Sequence, residues 1–226
     1  MLEIAVFTLP SALTAASSGA SRLELCTSYS SGGTTPQLST LHTIRTQISP
    51  PIPINVMIRP RAGNFYYSAS EFEQMRQDVV RFRALASGFV FGILDASGDV
   101  DVSRNCELVD LAAPLACTFH RAVDECTGVL EQAVEKIVVC GFRGILTSGG
   151  GKTAEEGMGG IKRLVERFGE EIQIIAGGRV RSGNVDGVKK GTGVKWVHSA
   201  AITGEGEEVD GEEVRRLRSV LEGMGT

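Results

Sequence analysis

Residues 116–124, ACTFHRAVD, place an imidazole, a guanidinium and a carboxylate within the five residues His120 to Asp124, just past a short apolar run. A histidine exchanges protons near neutral pH. An arginine grips anions through parallel N–H donors. The nearby carboxylate of Asp124 can orient Arg121 or a metal. Glu3 and Glu24 add two carboxylates inside short apolar runs, where burial is costly unless the charge is paired. Arg59, His120 and His198 are the cationic partners expected for them, with Glu24 or Glu3 serving as base or orienting a histidine. Arg59-Pro60-Arg61 sets two guanidiniums on a stiffened turn, suited to bidentate capture of carboxylate or phosphate. Two glycine-rich stretches, TSGGG (147–151) and AGGRV (176–180), offer Thr147, Ser148, Gly149, Gly177 and Gly178 as an anion cradle built from backbone N–H groups. No Cys/His pair has ligand spacing. Cys26 can meet His120 and His198 only through folding, and the remaining cysteines read as core or helix-face residues.

Such residues work together only if the chain brings them to one place. Short apolar runs near 2–7, 22–25, 54–58, 88–94, 115–119, 143–146, 172–176 and 194–198 read as strands. Helical patterns near 10–18, 37–47, 71–85, 102–112, 127–139, 153–168, 181–189 and 212–222 alternate with them. Ser70 with Glu73 reads as the start of the third helix. Eight strand–helix alternations in 226 residues predict a single-domain TIM-like (β/α)8 barrel over 1–226, with its core near 2–200 and a last helix near 212–222. In that fold the residues just past the strand ends share one face. The first strand–helix turn lacks GxGxxG, and no P-loop or GxSxG elbow occurs.

Composition narrows the partners. A net charge of −4 with no basic run gives no reason to expect nucleic acid. Five scattered cysteines without CxxC, and Met1 running straight into the first strand, predict free thiols in a cytoplasmic protein. No apolar run reaches the roughly 20 residues of a membrane span.

The stretches RLELC (22–26), GGTTP (32–36), VMIRPRAGNFYYS (56–68), FGILDASGDVD (91–101), TFHRAVD (118–124), ILTSGG (145–150) and HSAA (198–201) together resemble the CutC family of copper homeostasis proteins over about residues 2–200. The resemblance implies a cytoplasmic TIM-like barrel that forms dimers or larger homo-oligomers, and a link to copper. Members of that family resemble MEVC or LEIC in the first strand, and that cysteine has been proposed to pair with the RLELC cysteine around Cu(I). Here the first-strand position is Ala5, which leaves Cys26 alone and a two-thiolate site unavailable. Asn64 stands where the family pattern RPRGGDF carries an acid.

Three functions remain in view. The first is an enzyme of lyase or isomerase type acting on a small anionic or phosphorylated metabolite, with His120 as acid or base. The second is a copper-binding protein using Cys26. The third is a barrel whose inward charges only satisfy one another. No lysine ends a strand, so Schiff-base chemistry is not expected.

Overall fold

The computed structural model describes residues 1–223; 224–226, which the domain expectation includes, lie outside the described residues. Eight strands, β1 (Leu2–Val6), β2 (Arg22–Leu25), β3 (Ile54–Met57), β4 (Gly88–Phe91), β5 (Ala116–Phe119), β6 (Gly144–Thr147), β7 (Gln173–Ala176) and β8 (Trp196–Ser199), pair in parallel and in chain order into a closed barrel. Eight helices alternate with them: α1 (Leu9–Ser17), α2 (Leu38–Gln47), α3 (Ala69–Phe82), α4 (Val102–Ala112), α5 (Leu130–Val139), α6 (Met158–Phe168), α7 (Val185–Thr192) and α8 (Gly211–Gly223). The predicted (β/α)8 barrel is the observed fold. Among the described residues no helix is long and apolar enough to cross a membrane.

The strands are buried on both faces, which is why they read as unbroken apolar runs rather than alternating ones. Period two then divides each strand between two environments. Leu2, Ile4 and Val6, with Leu23 and Leu25, join the large core between strands and helices. Each such fully buried Leu or Ile contributes roughly 1.5–3 kcal/mol from burial. The alternate residues point into the barrel, where Ala5, Phe7, Cys26, Met57, Val90 and Ile202 form one small cluster and Leu146, Ile175 and Trp196 another. Glu3, Glu24 and His198 belong to this inward set.

Several boundaries differ from the sequence reading, with local causes. Helix α3 starts earlier, because Ser68 rather than Ser70 caps it: Ser68 and Glu71 bond reciprocally in a capping box. Helix α6 starts five residues later than expected, because the chain after β6 is held as a loop by side chains elsewhere. A 3-10 turn, Arg121–Glu125, follows β5 directly and folds Asp124 back toward the end of β6.

Candidate functional site

The carboxyl-side mouth of the barrel holds a cavity of about 260 Å³ lined by residues that include Glu24, Cys26, Arg59, His120, Arg121 and His198. That is below the roughly 300–1,000 Å³ of drug-sized sites, so it suits a ligand of few atoms.

Its floor is a chain of charges. Closure pairs Glu3 of β1 with Arg22 of β2 on one side and His198 of β8 on the other. Glu3 Oε2 accepts from Arg22 Nε at 2.5 Å, and Glu3 Oε1 lies 2.8 Å from His198 Nδ1. His198 Nε2 lies 3.8 Å from Glu24 Oε2, which also receives Cys26 Sγ at 3.5 Å. Arg22 stacks on Trp196, 4.0 Å from the ring centroid. Both glutamates are buried, 1% and 3% exposed, so neighbours rather than water set their charge. Burial pushes the Glu3 carboxyl up, but His198 and Arg22 together hold it below its ordinary value. Glu24 goes the other way: burial, reinforced by the Glu3 charge, raises it against the opposing pull of His198. Burial alone would depress His198, yet Glu24 and the bond to Glu3 lift it above the usual value. Burial and the Glu24 charge drive the Cys26 thiol well up, so it is protonated.

His120 sits on the wall, 4% exposed and packed at 4.7 Å between ring centroids against Phe65. The Ala122 N–H donates to its Nδ1 at 3.3 Å, so the neutral ring carries its proton on Nε2. Burial, then the Arg59 charge, depress its pKa to about 3. His120 is therefore a fixed neutral donor, not the near-neutral acid–base group expected from its type. Gly92 makes room for it: a Cβ there would lie 2.8 Å from His120 Nδ1 and 2.9 Å from the Phe119 ring.

The expected guanidinium clamp does not form. Arg59 is buried, and its N–H groups donate to the carbonyls of Ser31, Gly33 and Gly63, tying two loops together over the Phe65 ring. It presents charge to the cavity, not an open fork. Arg61 turns away to Glu71, Asn64 and the Tyr66 carbonyl and does not line the cavity. Asn64 meets Arg61 there.

Nor is the 147–151 loop an open cradle. Asp124 fills it, accepting from Thr147 Oγ1 (2.5 Å), the Ser148 N–H (2.9 Å), Ser148 Oγ (3.0 Å) and the Gly150 N–H (3.2 Å). The Gly149 N–H goes to Thr147 Oγ1 at 2.8 Å. Arg121 completes the arrangement, bonding Asp124 at 3.0 Å and Ser148 Oγ at 2.8 Å. Asp124, Thr147, Ser148 and Gly149 thus form a closed internal group. The Gly177 N–H donates to the Thr147 carbonyl, whereas Gly178 lines the cavity.

Three buried atoms of cavity-lining residues have no partner among the described residues: Glu24 Oε1, Arg59 Nε and His120 Nε2. Arg179 and Arg181, which sequence reasoning passed over, join them in the lining, as do Phe65 and Met57. Their signal lay in AGGRVR, where two arginines follow the glycine turn. Arg22 was also missed, although it shares period two with Glu24 and Cys26.

Glu3, Glu24 and His198 each offer a ligand atom within 4.8 Å of the others. This oxygen and imidazole set suits a zinc-like cation better than Cu(I), and the Arg22 guanidinium already supplies positive charge there. For Cu(I), the cavity offers the protonated Cys26 thiol and the Met57 thioether, with Ala5 where a second thiol would stand. That donor set does not make a two-thiolate site.

Residues 1–203 match the CutC family. A family protein CutC from Chromobacterium violaceum is 41% identical over 89% of this chain and 81% of its own length. One from Xanthomonas campestris pv. campestris is 36% identical over 100% of this chain and 99% of its own length. The crystal structure of a CutC protein from Streptococcus agalactiae, provisionally described as a copper homeostasis protein, superposes with a TM-score of 0.85 at 31% identity. It covers 90% of this chain and 99% of that one. An N-(5'-phosphoribosyl)anthranilate isomerase from Pyrococcus furiosus, with a TM-score of 0.66 at 11% identity over 99% of this chain and 98% of its own, shares the fold alone.

Proposed function

The chain belongs to the CutC family, and from that premise we propose that its barrel mouth binds a small anionic metabolite and moves a proton on it, as a lyase or isomerase would. The observation that carries this reading is the pair of buried, partnerless atoms, Glu24 Oε1 and His120 Nε2, in one cavity rimmed by arginines. An unmet buried polar atom costs about 1–3 kcal/mol. A ligand oxygen between the two recovers that cost.

The roles follow from protonation. Glu24, its pKa raised by burial, exchanges a proton closer to neutrality than an ordinary carboxylate. His120 cannot be the base, because its ring stays neutral with Nδ1 already engaged. Its Nε2–H donates instead to the ligand oxygen on which negative charge develops. His198 and Glu3 set the charge on Glu24, and Arg59 adds positive potential. Copper as cargo is the second reading. It is favoured by the description of the Streptococcus agalactiae relative and opposed by the single thiol at Cys26.

Native mass spectrometry of the whole chain purified from cells separates these readings. An anionic small molecule bound to the wild type and absent from His120→Ala is the expected result. Stoichiometric Cu(I) binding abolished by Cys26→Ala, with no small molecule bound, would overturn it in favour of copper.

A further inference from the structure

The loops at the cavity rim differ in what their backbone N–H groups face. After β6, the N–H groups of Ser148, Gly149, Gly150 and Gly151 all donate within the protein, two of them to the Asp124 carboxylate. An internal anion has taken the place a ligand would need. After β7 and β8 the situation reverses. The N–H groups of Gly178, Arg179, Val180 and Ala200 donate to no acceptor among the described residues. Gly178, Arg179 and Ala200 line the cavity.

The backbone of both turns is left-handed. Gly178 has φ +103°, and the non-glycine residues Arg179 and Ala201 are also left-handed, at +57° and +50°. Consecutive N–H groups in such turns form a concave donor surface that binds anions.

Charge points the same way. Arg59, Arg179 and Arg181 have no carboxylate oxygen within 4.0 Å among the described residues, unlike Arg121, which is paired with Asp124. Arg181 donates to the carbonyls of Val180 and Ile202 and to Ser199 Oγ, so its charge is held between the two turns. The buried, unpartnered His120 Nε2 belongs to the same cavity.

We propose that the turns after β7 and β8 seat the phosphoryl group of a phosphomonoester. The N–H groups of Gly178, Arg179 and Ala200 bind its oxygens, and Arg179 and Arg181 balance its charge. This rests on the reading of the mouth as a small-anion site and narrows the anion to a phosphoryl group. Donors on two separate turns, with two uncompensated guanidiniums, match a tetrahedral dianion better than a planar carboxylate with two oxygens and one charge. Barrels commonly place phosphate at these same two loops.

The probe is inorganic phosphate, titrated into the full-length chain and followed by backbone amide NMR. Saturable shifts are expected at Gly178, Arg179 and Ala200, with Gly150 unmoved, and acetate should give none. Arg179→Gly, in which glycine accepts the left-handed turn without strain, should weaken phosphate about tenfold, the worth of one charged hydrogen bond. Saturable shifts centred on Ser148 to Gly150, equal binding of acetate, or no saturable shift at all would overturn the proposal. A metabolite without phosphate found on the purified protein, lost in His120→Ala, would overturn it while leaving the small-anion reading intact. The absence of any metabolite together with no saturable shift from either phosphate or acetate would defeat that broader reading.

Discussion

Replacing Asp124 by alanine separates a structural carboxylate from a catalytic one. Its side chain is 5% exposed and receives five donors: the hydroxyls of Thr147 and Ser148, the amides of Ser148 and Gly150, and Arg121 Nε. Three of these find replacements. Arg121 is 41% exposed and reaches water, the single Ser148 Oγ proton, shared between Asp124 and the Gly151 carbonyl, turns wholly to that carbonyl at 2.5 Å, and the Gly150 amide is exposed. The Ser148 amide and the Thr147 hydroxyl belong to fully buried residues, and Asp124 is the acceptor both use. Two stranded buried donors at about 1–3 kcal/mol each give an expected loss of about 3–4 kcal/mol. At roughly 2–4 °C per kcal/mol for a domain of this size, Tm should fall about 10 °C. Asp124→Asn keeps one acceptor oxygen and should lose about half as much. Urea unfolding is the assay, with the midpoint falling and the m-value unchanged. A loss in Asp124→Ala below about 1 kcal/mol would refute the argument: the 147–151 loop would not be organised by Asp124, and its N–H groups would be free for a ligand.

Three further perturbations test the site. Glu24 and His198 both have raised pKa values, so the folded state holds protons that the unfolded chain releases. Their contribution is complete below the unfolded values and is lost as pH rises through the folded ones. The depressed His120 opposes them below its ordinary value of about 6.5, so wild-type stability should fall with pH only above that value, by up to roughly 1.4 kcal/mol per pH unit per proton. Glu24→Gln should flatten that fall in urea titrations, and an unchanged slope would contradict the coupling. Gly92→Ala drives a methyl into His120 and Phe119. About 1–3 kcal/mol of overpacking is expected, together with loss of the protected His120 Nε2–H resonance at neutral pH; a resonance left in place would show that Gly92 does not position the ring. Ala5→Cys puts a second thiol into the cluster that holds Cys26. It should tighten Cu(I) binding, measured against a chromogenic chelator, and wild-type protein that already binds as tightly would show that two thiols are not needed.

Much of the fold was legible because its signals are local. Apolar runs of strand length, glycines at turns and amphipathic stretches of helix length fall in one order along the chain, and eight alternations close most simply as a barrel. The same locality showed that Glu3 and Glu24 must have partners if they face inward. Which partners they take was decided only by closure. Register places residue 22 beside Glu3 on one flank and residue 198 on the other, so Arg22 and His198 make the pairs, while Arg59, expected among them, bonds to carbonyls instead. The rim shows the same division. Composition marked both glycine-rich turns as cradles for an anion. Only the tertiary fold reveals that the 3-10 turn after β5 swings Asp124 into the first of them and leaves the second open, because hydrogen-bond partners distant in sequence are chosen by three-dimensional proximity, which no local pattern encodes.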